Sequence, residues 1–350
     1  MSEIKMGEEL LRVENLCQYF GRVKAVDDVS FSVYKGEVFG LVGESGCGKT
    51  TTGRSIIKIY DITSGNIYLE GKRVAAGTMS YKLAIREAKK KMRDASADEK
   101  EKLKEEIAKN KEEIKKALAV QKKEKVVDKI QMIFQDPIAS LDPRMTVQEI
   151  IEEGLIIRGE KNKKVIQEKV YEALEKVGLV REHAGRYPHE FSGGQRQRIG
   201  IARSVVMQPE MIVADEPVSA LDVSIQAQVI NLLNDLRKEY GITIMFIAHD
   251  LSVVKYFSDR IGVMYYGKMV ELATSDELFA HPLHPYTRSL LSAIPLPDPD
   301  SEKNRKRIVY NKLKDHDYSV QGPTMREIVP GHFVYCNDEE AERYKKECEA

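Results

Sequence analysis

Gly43-Glu44-Ser45-Gly46-Cys47-Gly48-Lys49-Thr50 is the stretch on which the fold turns. It fits the spacing G-x-x-x-x-G-K-[ST]. A short apolar run, residues 38–42, feeds it, and residues 49 to about 60 have helical character after it. Strand, glycine loop and helix in that order make the motif a phosphate-binding loop rather than a chance glycine turn. Its glycines let backbone N–H groups turn inward around the β- and γ-phosphates of a nucleotide. The helix N-terminus adds its partial positive charge. Lys49 is placed to reach the β/γ oxygens, and the Thr50 hydroxyl to ligate Mg²⁺. Cys47 occupies a position with no required identity.

Downstream, apolar strands and helices alternate as in a parallel α/β sheet. Residues 211–214 read as a buried strand that ends in Asp215 and Glu216. Residues 224–240 read as a helix, and 242–248 as another buried strand, ending in His249. Ligands of parallel sheets gather at the carboxyl ends of strands. A carboxylate at Asp215 can hold the Mg²⁺ shell through water, and Glu216 can polarise the attacking water. His249 is placed to reach the γ-phosphate. Gln135, after the run 130–134, reads as a sensor of Mg²⁺ and water. Ser192-Gly193-Gly194-Gln195 opens a helix expected over residues 193–206, with a serine hydroxyl and glycine N–H groups at its N-terminus. That is a second anion site in the same chain. It serves either an unrelated second ligand or, the better answer, a head-to-tail pair. In such a pair each ATP lies between the phosphate loop of one subunit and the serine-glycine helix of another.

Charged residues make up 31% of the sequence, which suits a soluble protein with a large polar surface. Lys+Arg and Asp+Glu are 55 each in 350 residues, so net charge points to no nucleic-acid partner. No apolar run approaches the ~18–20 residues of a membrane span, and the polar N-terminus lacks a signal-peptide core. Cys17, Cys47, Cys336 and Cys348 show no CxxC spacing and read as free thiols. Strands are expected at 10–13, 29–33 and 67–69, helices at 147–157 and 165–177, and a hairpin over 260–272 turning at Tyr266-Gly267. The tail from about 275 is proline-rich over 282–299, then polar and expected to be irregular.

Residues 79–128 break the rhythm. They are dense in Lys and Glu, with no Pro or Gly after Gly77. Leu103, Ile107, Asn110, Ile114 and Ala117 fall on alternating 4- and 3-residue steps, a coiled-coil seam with one polar position. Ser96-Ala97-Asp98-Glu99 is a capping box. The pattern predicts a helical hairpin over roughly 80–94 and 97–125, either a solvated insertion or a docking arm for another subunit.

Together these motifs, with Ser219-Ala220-Leu221-Asp222 as the loop after the catalytic strand, resemble the nucleotide-binding subunits of ABC transporters over roughly residues 10–272. Ile130-Gln131-Met132-Ile133-Phe134-Gln135-Asp136-Pro137, then Ala139-Ser140-Leu141-Asp142-Pro143-Arg144-Met145-Thr146, is similar to the oligopeptide/dipeptide importer ATPases. So are Val223-Ser224-Ile225-Gln226-Ala227-Gln228 and the tail segment His281-Pro282-Leu283-His284-Pro285-Tyr286-Thr287. Gln195 and the Glu-Ser-Gly-Cys-Gly-Lys loop favour the F-type subunit over its D-type sibling.

The resemblance implies an α/β P-loop NTPase fold: an ABC nucleotide-binding domain with an antiparallel β subdomain, a helical subdomain over about 137–206, the inserted hairpin, and a C-terminal extension. The ATPase domain would span 1–275 and the extension 276–350. It implies ATP and Mg²⁺ bound by Gly43, Glu44, Ser45, Gly46, Cys47, Gly48, Lys49, Thr50 and Thr51, with Phe20, or Tyr19 in its place, stacked on adenine. Glu216, His249 and Gln135 would be catalytic, with Thr50, Gln135 and, through water, Asp215 at the metal. Ser192, Gly193, Gly194 and Gln195 would act on a partner's ATP. The implied partners are a D-type ATPase, two membrane permeases and, indirectly, an external peptide-binding protein, with the chain on the cytoplasmic face of the membrane.

Two departures qualify the match. The insertion 79–128 is much longer than the usual link to Gln135. Of the cysteine cluster that family members often carry near the C-terminus, only Pro330-Gly331-His332-Phe333-Val334-Tyr335-Cys336 is recognisable, so no iron–sulfur centre is expected. Chromosome-maintenance ATPases form the competing class, since they share these motifs and carry coiled-coil insertions. Theirs are far longer and lie beyond the glutamine loop. A non-hydrolysing nucleotide module is a third reading, opposed by intact Glu216 and His249.

Overall fold

Two sheets carry the chain, one antiparallel and one largely parallel. The computed structural model describes residues 7–93, 95–123, 126–219, 221–294 and 307–349. The chain falls into two units, one of residues Met1–Tyr34, Gly46–Val126 and Tyr266–Lys268, the other of Lys35–Ser45, Val127–Tyr265 and Met269–Ala350.

The first unit holds strands β1 (Glu9–Phe20), β2 (Val23–Tyr34), β4 (Ser64–Leu69) and β5 (Lys72–Ala76), in the order β2-β1-β4-β5. All neighbouring pairs are antiparallel. Leu11, Val13, Leu16, Val29, Val33, Ile67 and Leu69 are buried, the inward face of a half-buried sheet. Helix α1 (Lys49–Ile56) packs on β1 and β2 and is shorter than its expected span to residue 60. The helical hairpin is present as α2 (Met79–Lys91) and α3 (Ala97–Lys123), packed on each other, with α3 also resting on β5. Along the expected seam Leu103, Ile107, Asn110 and Ile114 are half-buried and Ala117 is buried. Asn110 turns its amide onto the Glu106 carbonyl of its own helix, 2.9 Å away. Of the expected capping box, one half is in place: Glu99 accepts from the Ser96 N–H and hydroxyl at 2.9 and 2.8 Å.

The second unit is built on β3 (Val38–Val42), β6 (Ile130–Ile133), β7 (Met211–Asp215), β8 (Thr243–Ala248) and β9 (Arg260–Tyr265), parallel neighbours in the order β9-β3-β8-β7-β6. Every residue of β3, β7 and β8 is buried, as strands covered on both faces require. Helices α4 (Val147–Ile157), α5 (Lys163–Lys176) and α6 (Gly193–Val205) pack on one another through Ile150, Leu155, Val170, Leu174 and Ile199. Helix α7 (Val223–Tyr240) ends at left-handed Gly241, and α8 (Leu251–Phe257) follows β8. The turn Tyr266-Gly267, with φ of 42° and 80°, joins β9 to its sheet neighbour β10 (Lys268–Thr274), the expected hairpin.

The tail differs from its expected irregularity. After α9 (Ser275–Ala280) and α10 (Pro285–Ser292) come a short α11 (Lys312–Asp315), strands β11 (Thr324–Val329) and β12 (His332–Cys336), and α12 (Asp338–Glu349). β12 pairs antiparallel with both β10 and β11, so these strands extend the central sheet to eight. Ile328, Val334, Cys336, Ala341 and Tyr344 close a small second core around Leu283. No helix among the described residues is long and apolar enough to cross a membrane.

Candidate active site

The carboxyl ends of β6, β7 and β8 bring three of the expected side chains together. Glu216 follows the last residue of β7, and its backbone takes φ of 45°, a region that costs a non-glycine residue strain. Its N–H donates to the Ile247 carbonyl of β8 at 3.0 Å, which fixes that conformation against the next strand. Gln135, just past β6, donates its Nε2 to Glu216 Oε2 at 3.0 Å. His249, just past β8, sets Nδ1 at 3.0 Å from the same oxygen. A carboxylate accepts only, so the arrangement calls for a proton on Nδ1. The Glu216 side chain is 12% exposed and that of His249 54% exposed. A nearly enclosed carboxylate is thus held from two sides by neighbouring strand ends. Asp215, one residue earlier, is fully buried.

The loop after Glu216 is tied down locally. Ser219 donates its hydroxyl to the Glu216 carbonyl at 3.1 Å, and its N–H reaches the same atom at 3.3 Å. Gln226 of α7 donates Nε2 to the Val218 and Leu221 carbonyls at 3.1 and 2.9 Å. Asp222 stands at the N-cap of α7. Ala220 lies outside the described residues. Glu216, Val218, Ser219, Gln226, His249 and Asp250 line a common recess.

Ser192 caps α6 reciprocally with Gln195. Its Oγ accepts from the Gln195 N–H at 3.3 Å, while Gln195 Oε1 accepts from the Ser192 N–H at 3.0 Å. Ser192 and Gly193 are exposed. Gly194 has a packing reason: a Cβ there would stand 2.8 Å from Ile225 Cγ2 on α7. Two α6 residues absent from the sequence reading tie this helix to the Gln135 segment. Arg203 donates to the Ser140 carbonyl at 2.6 Å, and the Ser204 hydroxyl reaches the Met132 carbonyl of β6 at 3.2 Å. They point back across more than sixty residues of sequence, so no local pattern could have found them.

Of the phosphate-loop motif, Gly43–Ser45 belong to the second unit and Gly46–Thr51 to the first. Gly43 has φ of 148° in the one, and Gly46 and Gly48 have φ of 79° and 109° in the other, conformations that favour glycine. A Cβ on Gly46 would meet nothing within 4 Å. Gly48 is the N-cap of α1, and no side chain caps that helix. Lys49 is buried, with Nζ 3.9 Å from Cys47 Sγ. An uncapped helix start, left-handed glycines and a buried ammonium are a donor set suited to phosphate. In the same unit Tyr19 commits its hydroxyl to Asp27 at 2.5 Å, whereas Phe20 is 45% exposed, its ring edge-on to Tyr60 at 5.2 Å.

Cys336 is buried, and burial pushes its thiol up to about 12, which opposes the thiolate a cluster iron needs. Among the described residues no group of three or more His, Cys, Asp or Glu is placed to hold a metal ion.

Comparison with known proteins places this site in context. The family model for ABC transporters matches residues 26–119 and 96–219, two pieces that overlap within the helical hairpin. The model for the oligopeptide/dipeptide transporter C-terminal region matches residues 270–318. The chain is 54% identical to an oligopeptide transport ATP-binding protein of Bacillus subtilis, covering 96% of this chain and 98% of that one. It is 48% identical to a dipeptide transport ATP-binding protein of Lactococcus lactis, covering 97% of each. Among solved structures it is similar to the ATP-binding cassette MJ0796 in a dimeric, post-hydrolysis state with ADP and phosphate. That match has a TM-score of 0.56 and 25% identity, covering 76% of this chain and 99% of the other. It is also similar to cbiO1 of Clostridium perfringens, part of an ABC transporter complex, with a TM-score of 0.58 and 25% identity, covering 78% and 91%.

Proposed function

Since this chain belongs to the oligopeptide/dipeptide transport ATP-binding proteins of the ABC transporter family, we propose that it hydrolyses ATP to power the import of di- or oligopeptides through membrane permeases. The observation that carries the hydrolytic part is the Glu216 carboxylate braced at 3.0 Å by both Gln135 and His249. A base so held keeps its orientation while it takes up partial charge from the attacking water.

In this reading Gly46–Thr51 cradle the phosphates, Lys49 neutralises the β/γ oxygens, and Phe20 stacks on adenine. Tyr19 is spent on Asp27, which favours Phe20 in that role. Mg²⁺ bound with the nucleotide would neutralise charge on the transferred phosphoryl group. Thr50 and Gln135 would ligate it, with Asp215 acting through water. With its amide nitrogen bonded to Glu216, Gln135 would offer its amide oxygen to the metal. Ser192, Gly193 and Gly194, exposed or packed at the start of α6, would close on ATP held by a second, D-type ATPase. Gln195 would support that serine from within the capping box. Closure of this head-to-tail pair would depend on the γ-phosphate, and hydrolysis would reopen it. The proposed partners are that ATPase and two permeases, with an external peptide-binding protein acting through them, and the proposed location is the cytoplasmic face of the membrane. The division into an ATPase domain over 1–275 and an extension over 276–350 belongs to the same proposal.

The test is reconstitution. Co-expressed with its membrane subunits in proteoliposomes, the chain should show ATP hydrolysis that rises when a peptide-loaded binding protein is added. Stimulation by DNA, or full activity without membrane subunits, would overturn the transport reading. The Ser192→Arg variant should impair hydrolysis at the partner's phosphate loop more than at the chain's own. Loss confined to its own site would overturn the head-to-tail pairing.

A further inference from the structure

The C-terminal region reaches the phosphate loop through one hydrogen bond that the hydrolytic reading does not use. The Glu44 backbone N–H donates to the hydroxyl of Tyr286, 3.1 Å away across 242 positions of sequence. Tyr286 is 2% exposed, and its ring lies against Tyr265 and Tyr310 at centroid distances of 4.4 and 5.6 Å.

The segment that carries Tyr286 is itself anchored to the sheet. Glu271 of β10, fully buried, accepts from the Leu283 and His284 N–H groups at 2.8 and 3.1 Å and pairs with His332 Nε2 at 2.8 Å. His284 then caps α10, its Nδ1 accepting the Tyr286 N–H at 3.1 Å. That bond needs a neutral imidazole. Burial, with His316 and Arg288 nearby, pushes His284 down to about 3 and keeps it neutral at any physiological pH. The hydroxyl of Tyr286 therefore stands at the end of a strut built from β10, the cap and α10.

What it props is the entry of the glycine loop. Glu44 sits between Gly43 and Gly46, whose φ values of 148° and 79° lie where glycine alone moves freely. A chain hinged on two such glycines samples many conformations, and only some present N–H groups to a phosphate. Fixing one N–H between the hinges raises the fraction that is ready to bind, and apparent affinity rises with that fraction.

We propose that Tyr286 is a positioning residue for nucleotide binding, through which the C-terminal region sets the affinity of the phosphate loop for ATP and ADP. This rests on the reading that the loop binds those nucleotides.

The experiment is Tyr286→Phe in the full chain, which removes the hydroxyl and keeps the ring. Calorimetric titration with ATP and with ADP should give dissociation constants raised about three- to tenfold, the worth of one ordinary hydrogen bond. In the reconstituted complex KM for ATP should rise in proportion, while kcat at saturation stays within about twofold because the Glu216 site is untouched. Unchanged affinity in folded Tyr286→Phe, or a lower kcat at unchanged KM, overturns the proposal. A wild-type chain that binds no nucleotide would instead sink the ATPase reading and the strut with it. Should Tyr286→Phe fail to fold, His284→Ala and His284→Asn decide the matter. Asn can restore the cap through its side-chain oxygen, so affinity should fall in the Ala variant and recover in the Asn variant. Equal affinity in the two overturns the proposal.

Discussion

Replacing Glu216 with Gln tests the centre of the mechanism with the least disturbance. The side chain keeps its length, and its amide oxygen can still accept from Gln135 Nε2 and His249 Nδ1, both now 3.0 Å from Oε2. Two charge-assisted hydrogen bonds become neutral ones, a loss of about 1 kcal/mol each. Removing a charge from a side chain only 12% exposed offsets part of that cost. Stability should therefore change by no more than about 2 kcal/mol, and the phosphate loop keeps all its donors. What disappears is the proposed base. A positioned general base contributes roughly 10²–10⁴-fold, so turnover should fall by that factor while ATP affinity stays within about twofold of wild type. ATP hydrolysis is followed by phosphate release, affinity by calorimetry, and subunit association in ATP by light scattering, where a closed dimer should accumulate with the partner ATPase. Turnover within a few-fold of wild type would remove Glu216 from its role. A parallel loss of ATP affinity would show that the charge serves binding and not the chemical step.

Three further outcomes follow from the same geometry. Lys49→Ala removes a buried ammonium from the loop, so ATP affinity itself should fall by tenfold or more, about 1.4 kcal/mol per decade; unchanged affinity by calorimetry would contradict the assignment. Replacing residues 79–128 with a short turn should leave hydrolysis by the reconstituted complex largely intact, because the hairpin packs on itself and on β5; a folded variant without nucleotide binding would make the hairpin part of the machinery. Burial works against the charged form of His332, but its bonds to Glu271 and Glu277 outweigh that and leave its pKa raised. Its stabilising contribution should be complete below about pH 6.5, the unfolded value, and be lost as pH rises through the higher folded value. The gap in urea midpoint between wild type and His332→Gln should narrow over that rise, and a gap that widens would refute the sign.

The parts legible in the sequence are those whose signal is local. The Gly43–Thr50 loop, the apolar strands that end at Asp215 and His249, and the Ser192 cap each need fewer than ten residues to be recognised, and the structure puts them where strand and helix order required. β1 was legible only in its first part because its alternation does not persist. Register shifts fall between Val13 and Leu16 and again near Gln18, and Asn15 between them has φ of 47°. A bulge moves the inward face by one residue, and a period-2 reading stops there. The tail strands failed for a different reason. β11 exposes three of its six positions without alternation, and β12 is apolar at nearly every position although its burial alternates. Neither carries a pattern until β10 supplies an edge for β12, and β12 one for β11.

What no pattern could announce is how the site is braced. The sequence places Gln135 at Mg²⁺ and water and His249 at the γ-phosphate, and in this structure both contact Glu216, 81 and 33 positions away from them. The two assignments are compatible if the braces are released in turn. A carboxylate bonded on one oxygen by both neighbours is held in place but also occupied. A nucleotide that draws the Gln135 amide oxygen toward a metal, or His249 toward a phosphate, would have to remodel those contacts as it binds. The positive φ of Glu216 fits such a part: the backbone is pinned to Ile247 in a costly conformation, so the side chain can change partners without the strand end moving. The rigid element is therefore the sheet, and the exchangeable element is a pair of hydrogen bonds, each worth about 1.5–3 kcal/mol when one partner is charged. Bonds of that size are strong enough to aim a base and weak enough to be traded for a ligand that binds by more.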